Sequence, residues 1–592
     1  MPLASVAASG QVRHSLSFPV DREQIILVRS EFPVAAPVTV LSMPNWTPGS
    51  YLIRNFAANV EEVSATSPDG TALQIHKVSK DRWQVETGQI EKLIIEYRVF
   101  TPRMAVQLSW ASRDYSLVNG ASVFLYSEQT RNFPQSLEMR VNAERGDVFT
   151  ALPASQNEGV YLADNYDELL DNPIVVANAP VYQFAVGGQD YKFVNVGENS
   201  SWDGSAAADA VEKIVAETQS FWGVNPLQRP YWFLNFAIGG RGGLEHDHST
   251  VMISDRRSMR DRDAYIAWLG IVAHEFFHVW NVRNMRPAAL GQYDYQKEQY
   301  TSQLWIAEGL TSYFDNLILA RAGLIDLEEY LELLASSIHR LETTPGRLVR
   351  PVTEASFDTW IRHYTPGSNT VNSTISYYTK GAVIGFVLDA YIRKTSKGRR
   401  NLDRVMQKMY QEYSDTPYAQ DAFERILVDV GGSGAGELLQ SMLTTTSELD
   451  VDTALDWYGL RLERREAVES VEGKADPPRS GLGVIWDQEK PVLTIKAVLA
   501  ERGAARAGLM AGDELIAIGD ERLDKGNLDS LLGRFLPGEE VTVLVARRGK
   551  ILSRQITLDT ALPERFDIVV SDGFGKRHVT RLQKLLGQKL TQ

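Results

Sequence analysis

Over residues 13–182 the apolar positions come in short runs or alternate with polar ones, as at 24–28, 93–99 and 122–126. Turn-forming triplets such as Thr47-Pro48-Gly49 and Pro68-Asp69-Gly70 separate them. A period of two bounded by such turns predicts antiparallel strands, hence a β-sandwich-like domain over 1–185. Near residue 200 the period lengthens. The pattern predicts a helix over 206–222, a strand over 231–238 and a strand over 250–254, the strands flanking a glycine-rich turn. Tyr265, Trp268, Leu269, Val272, Phe276 and Val279 then recur at helical intervals, which predicts a buried helix within 263–282. A second amphipathic segment runs from 305 to 322 and is closed by Gly323.

Further helical patterns cover 327–341, 375–395, 402–413 and 422–430, with an aromatic, Pro/Gly-bearing loop expected at 351–372. A polar, Pro-containing stretch at 466–480 reads as a linker. The tail from 563 ends in a basic amphipathic segment, 578–590, expected as a docked helix and not a membrane anchor. The whole is a multidomain α+β chain: a β-rich N-terminal domain (1–185), a catalytic domain (186–330), a helical subdomain (331–465), a small domain (466–562) and a helical tail (563–592).

The length of 592 residues supports several independent cores, and the formal charge of −14 argues against nucleic acid or an anionic membrane as principal partner. With no cysteine in the chain, disulfides and thiolate metal sites are excluded, and His/Glu ligation is the available option. No run is long and apolar enough to span a bilayer. Residues 1–11 lack the basic and apolar regions of a signal peptide, so the expectation is a soluble cytoplasmic protein, periplasmic if a leader has been removed.

Within the buried helix stands His274-Glu275-Phe276-Phe277-His278. Positions i and i+4 of a helix lie nearly above one another, so both imidazoles can reach one metal ion. Glu275 is then placed to hold a water and take its proton, the HExxH arrangement of zinc hydrolases. A catalytic zinc needs a third protein ligand and one open position, and Glu308, inside the 305–322 segment, supplies it. One Zn²⁺ per chain is expected.

The stretch Gly239-Gly240-Arg241-Gly242-Gly243-Leu244-Glu245 reads as an edge strand along the cleft. Gly242 and Gly243 would let a peptide approach the backbone, and Glu245 would meet its charged end. His246 and His248 could form a second metal site or be polar residues at the cleft rim; the completed ligand set above favours the rim. Tyr377-Tyr378 opens a helix beside the cleft, where a hydroxyl can donate to a developing oxyanion or simply pack.

Gly481-Leu482-Gly483-Val484, the strand pattern at 492–498 and the segments 504–509 and 512–518 resemble a PDZ domain over about 473–559. Its apolar-Gly loop would present backbone N–H groups to a peptide carboxylate, unless the domain serves only packing. The chain as a whole resembles the glycyl aminopeptidase family, the sixty-first metallopeptidase family, through the segment His274 to Asn281, residues 305–311, Gly242-Gly243-Leu244-Glu245-His246 and Tyr378-Thr379-Lys380-Gly381. Leu244 and His246 stand where the larger aminopeptidase family carries Met and Asn. The resemblance implies a gluzincin: a thermolysin-like catalytic domain and a PDZ domain, with zinc on His274, His278 and Glu308. It also implies Glu275 as general base, Tyr378 at the oxyanion, Glu245 on the substrate amine, and a preference for N-terminal Gly or Ala. Two other readings are an endopeptidase whose PDZ domain captures substrate tails, and a PDZ-bearing binding protein with an inert zinc site. The partners expected are peptide substrates and a C-terminal peptide at the PDZ domain.

Overall fold

The computed structural model describes residues 10–465 and 479–589, so residues 466–478 of the expected linker lie outside the described residues. The chain gathers into two compact units, one running to Gln299 with Tyr410–Tyr418 added, the other built from Tyr300–Met409 and the chain from Ala419 onward.

The first unit begins with a β-rich part. Its largest sheet has six strands in the order Val160–Ala163, Gln135–Arg140, Val12–Ser17, Ile25–Pro33, Lys92–Phe100, Val60–Thr66. Alternate residues such as Leu16, Ile26, Val28, Phe32, Leu93, Ile95 and Tyr97 turn into one core, the burial that the two-residue period anticipates. The expected strand at 122–126 is absent. Within that run only Tyr126 pairs with a strand, through an isolated bridge to Ser42 of Val38–Ser42, which belongs to a separate three-stranded sheet. Its other peptide groups find partners off any ladder: Tyr97 Oη donates to Val123 O (2.8 Å) and accepts from Leu125 N (3.1 Å), Tyr166 Oη donates to Phe124 O (2.8 Å), and Val123 N and Phe124 N donate to Gly120 O (3.1 and 2.9 Å). A buried segment needs partners for its peptide groups, and side chains can provide them without a ladder.

The same unit continues into a five-stranded sheet, ordered Val181–Val186, Gln189–Val196, Tyr231–Ala237, Ser249–Ser254, Gly242–Glu245. The three central strands run parallel, and Gly242–Glu245 lies antiparallel at the edge. The helix Arg262–Phe277 is capped by Asp261, whose carboxylate accepts from Ala264 N (2.8 Å). Its Phe276 ring packs at 5.2–5.9 Å from those of Tyr231, Phe233 and Tyr191 on the sheet. A buried polar chain fixes its rotation: Trp268 Nε1 donates to Asn235 Oδ1 (3.1 Å), and Asn235 Nδ2 donates to Asn195 Oδ1 (2.7 Å).

In the second unit, Trp305–Leu310 forms a π-helical turn leading directly into the helix Thr311–Arg321. The helix Leu327–Glu342 starts on an Asp326/Glu329 capping box, and Tyr377–Thr395 is buried along most of its length. The region 351–372 is not a plain loop. It is broken into short helices Val352–Phe357, Thr359–Arg362 and Thr370–Ser373, the first two held at their junction by Asp358, which accepts from Arg350 Nη1 (2.6 Å) and Arg362 Nε (3.2 Å). Beyond residue 478 a four-stranded sheet, two short strand pairs and the helices Gly503–Arg506 and Leu528–Leu532 enclose a separate core around Leu482, Ile495, Leu515, Val543, Val545 and Ile556. The strand expected at 492–498 is shorter, Ile495–Val498. In the tail, Arg565–Val570 pairs with Leu460–Arg465. The helix Lys576–Leu586 then buries Leu582, Leu585 and Leu586, and Arg321 Nε donates to Leu585 O (3.1 Å). Among the described residues no helix is long and apolar enough to cross a membrane.

Candidate active site

His274 and His278 sit at the C-terminal end of the helix Arg262–Phe277, with ring centroids 4.6 Å apart and planes nearly perpendicular. His278 is buried and donates from Nδ1 to the Asn281 carbonyl (2.7 Å). A carbonyl can only accept, so the proton is on Nδ1 and the Nε2 lone pair is the one available to a metal.

Glu275 is buried between the histidines and the edge strand. A Cβ on Gly243 would fall within the Glu275 side chain, 2.5 Å from Cδ and 2.6 Å from Cγ. Only a glycine lets the strand lie this close to the carboxylate. Glu245, the last residue of that strand, is equally buried. Its carboxylate rests on Gly49, where an added Cβ would lie 2.7 Å from Oε1. Gly49 has φ +82, so the turn 47–50 of the β-rich part depends on glycine for its backbone as well. Burial pushes the Tyr231 phenol well above its ordinary range, and the charges of Glu275 and Glu245 push the same way.

Glu308 lies in the π-helical turn and is 2% exposed. Such turns bulge the backbone and recur where a helix must aim one side chain. The turn crosses the helix Tyr377–Thr395 at two glycines: a Cβ on Gly309 would lie 2.6 Å from Gly381 Cα and from Tyr377 O, and one on Gly381 would lie 2.7 Å from Gly309 Cα. Here backbone meets backbone, which no rotamer change can relieve. This crossing accounts for the glycines of both Glu308-Gly309 and Lys380-Gly381. Burial raises the Tyr378 phenol well above its usual range, with the Glu308 charge adding to it. His363 stacks on Tyr378 at 5.4 Å; burial lowers its pKa, against the pull of Glu308. Tyr377 instead turns inward to Thr359, Oη to Oγ1 2.9 Å.

Two groups of side chains are arranged so that their ligand atoms all lie within 4.8 Å of one another: His274, His278 and Glu308, and Glu245, Glu275 and His278. The first is the donor set of a catalytic zinc, two imidazoles and a carboxylate. The residues present therefore fit the ion.

The model of the M61 glycyl aminopeptidase family matches residues 267–384, which contain the histidine helix, Glu308 and Tyr378, and the model of the M61 N-terminal domain matches residues 13–178. The chain belongs to the M61 peptidases. Among solved structures, an aminopeptidase N family protein from Idiomarina loihiensis is similar to this M61 peptidase at 29% identity and a TM-score of 0.90, covering 97% of this chain and 100% of that one. An M1 zinc metallopeptidase from Deinococcus radiodurans is also similar, at 12% identity and a TM-score of 0.46, over 74% of this chain and 95% of that one. No curated protein matches.

Several residues that shape this M61 site carry no signal in the sequence pattern. Asp171, Arg283 and His363 come from separate stretches and belong to no motif, while Gly49 and Tyr231 are marked only as a turn residue and the start of a strand. His246 turns to Asp171, with Nδ1 3.2 Å from Asp171 Oδ1, and neither His246 nor His248 belongs to a metal-ligating group among the described residues.

Proposed function

We propose that this M61 peptidase is a zinc-dependent aminopeptidase with one zinc held by His274, His278 and Glu308. The observation that carries the reading is the 4.8 Å clustering of those ligand atoms, with the buried Glu275 next to His274 in the helix. Zinc there supplies Lewis acidity toward the scissile carbonyl and makes a water easier to deprotonate. Glu275 takes the water's proton and passes it to the leaving amine. Tyr378, kept protonated by its surroundings, donates its hydroxyl to the oxyanion. Glu245 pairs with the free α-ammonium, and so fixes which peptide bond is cut. Gly242 and Gly243 offer the edge-strand backbone to the substrate. The family description supports a preference for N-terminal Gly, and the burial of Glu245 against the 47–50 turn is in keeping with limited room beside the amine, where Ala is the next smallest residue.

We further read residues 479–562 as a PDZ-type module that takes a peptide C-terminus. The Leu482 carbonyl accepts from Ala504 N (3.0 Å) and the Gly483 carbonyl from Leu499 N (2.9 Å). This turn of chain, Gly481 to Val484, borders a cavity of about 170 Å³ lined also by Trp486, Arg502, Leu528 and Leu532. Gly483, at φ +76, takes the left-handed conformation that such a loop needs.

Glu245→Ala tests the aminopeptidase reading. Its kcat/KM falls by about 10²-fold on peptides with a free N-terminus, the scale of losing a buried charged pair. Efficient internal cleavage of N-acetylated peptides by the unsubstituted enzyme would instead make it an endopeptidase.

A further inference from the structure

Resting on the reading of Glu245 as the amine anchor, we propose that Asp171 is a positioning residue that sets where the Glu245 carboxylate points. Glu245 ends the edge strand, and the chain turns back at once, with His246 N donating to Ser249 O (2.9 Å). That turn is held from outside. Asp171 closes the short helix Tyr166–Asp171 of the β-rich part and reaches two successive residues after Glu245. Its Oδ1 lies 3.2 Å from His246 Nδ1, and its Oδ2 accepts from Asp247 N (2.8 Å).

Arg283 closes the frame. It donates from Nη2 to Asp171 Oδ1 (2.8 Å) and from Nε to Asp247 Oδ1 (2.7 Å). Its own backbone N–H donates to the His278 carbonyl (3.0 Å). One set of hydrogen bonds thus runs from the end of the histidine helix through Arg283 and Asp171 to the residues following Glu245. Asp171, His246 and Arg283 are all buried. Burying an ion pair contributes little net stability against an apolar core, so stability alone is a poor reason for these charges. Directional, charge-assisted bonds at both ends of a turn do fix its geometry, and an amine anchor needs that.

The test compares peptides with free and acetylated N-termini on the zinc-loaded enzyme. Asp171→Asn removes an acceptor that the Asp247 N–H or Arg283 requires. The expected result is a loss of ten- to roughly a hundredfold in kcat/KM on the free peptide, carried by KM, with residual hydrolysis of the acetylated peptide unchanged. In the double variant Asp171→Asn/Glu245→Ala, activity is no lower than in Glu245→Ala alone, because both changes remove the same contact. Arg283→Lys keeps the charge but loses the two-pronged grip, and gives the same comparison should Asp171→Asn fail to fold. Equal losses on both peptides, or additive losses in the double variant, overturn the proposal while leaving Glu245 as the anchor. If Glu245→Ala itself leaves the preference for the free peptide intact, the amine reading falls, and the positioning role with it.

Discussion

Replacing Glu275 with glutamine lowers peptide hydrolysis by roughly 10²–10⁴-fold, the span that general-base catalysis contributes, while the bound zinc remains. Glutamine matches the shape of glutamate and can still hydrogen-bond a water, but it cannot accept the proton. In the proposed ligand set the metal is carried by His274, His278 and Glu308, so its retention follows. Hydrolysis rates and zinc content of the same preparation check both halves. Full activity in this variant would remove Glu275 from the chemistry. Loss of zinc together with activity would make the residue a ligand.

Gly243→Ala is expected to be nearly as damaging, for a steric reason. The new methyl group would occupy the space of the Glu275 side chain, 2.5 Å from Cδ and 2.6 Å from Cγ. The edge strand is fixed by its ladder to Ser249–Ser254, and the helix by Phe276 and Trp268 against the sheet. The side chain of Glu275 must therefore give way. Misplacing a catalytic group by about 1 Å costs on the order of 10²-fold in kcat/KM, and overpacking costs about 1–3 kcal/mol in stability. Gly270→Ala, on the histidine helix, is the internal control: its Cβ would meet nothing within 4 Å. Kinetics and thermal unfolding of the two variants separate the effects. Similar activity in both would show that the strand does not press on the base.

What the sequence discloses of this site is what repeats along a helix or sits in a short motif. The i, i+4 histidines, the acid between them and the apolar stripe through Trp268, Val272 and Phe276 are readable, because helical geometry is local. The edge strand Gly242–Glu245 was legible for a similar reason, as glycines followed by a carboxylate before an apolar strand. The frame around Glu245 was not. Asp171 and Arg283 meet it only through tertiary packing, and nothing in their local pattern marks them; Gly49 is readable as a turn residue, but its place beneath Glu245 is not. The run 122–126 misled because β-branched and aromatic residues fit a buried segment of any shape, and here tyrosine hydroxyls and the carbonyls of Asn119 and Gly120 stand in for the missing ladder. Residues 351–372 carry turn-forming residues, yet the Asp358 ion pairs convert part of them into helical turns. The π-helical turn at Trp305–Leu310 was hidden as well, since one extra residue in a turn leaves the apolar spacing almost unchanged.

Two side-chain groups compete for the metal, His274/His278/Glu308 and Glu245/Glu275/His278, and they assign Glu275 and Glu245 opposite roles. Anomalous diffraction at the zinc edge from crystals of the zinc-loaded protein distinguishes them. The account predicts one peak, about 2 Å from ring nitrogens of His274 and His278 and from a Glu308 oxygen, with Glu275 outside the coordination shell. A peak bonded to Glu275 and Glu245, with His274 and Glu308 unbound, would contradict it.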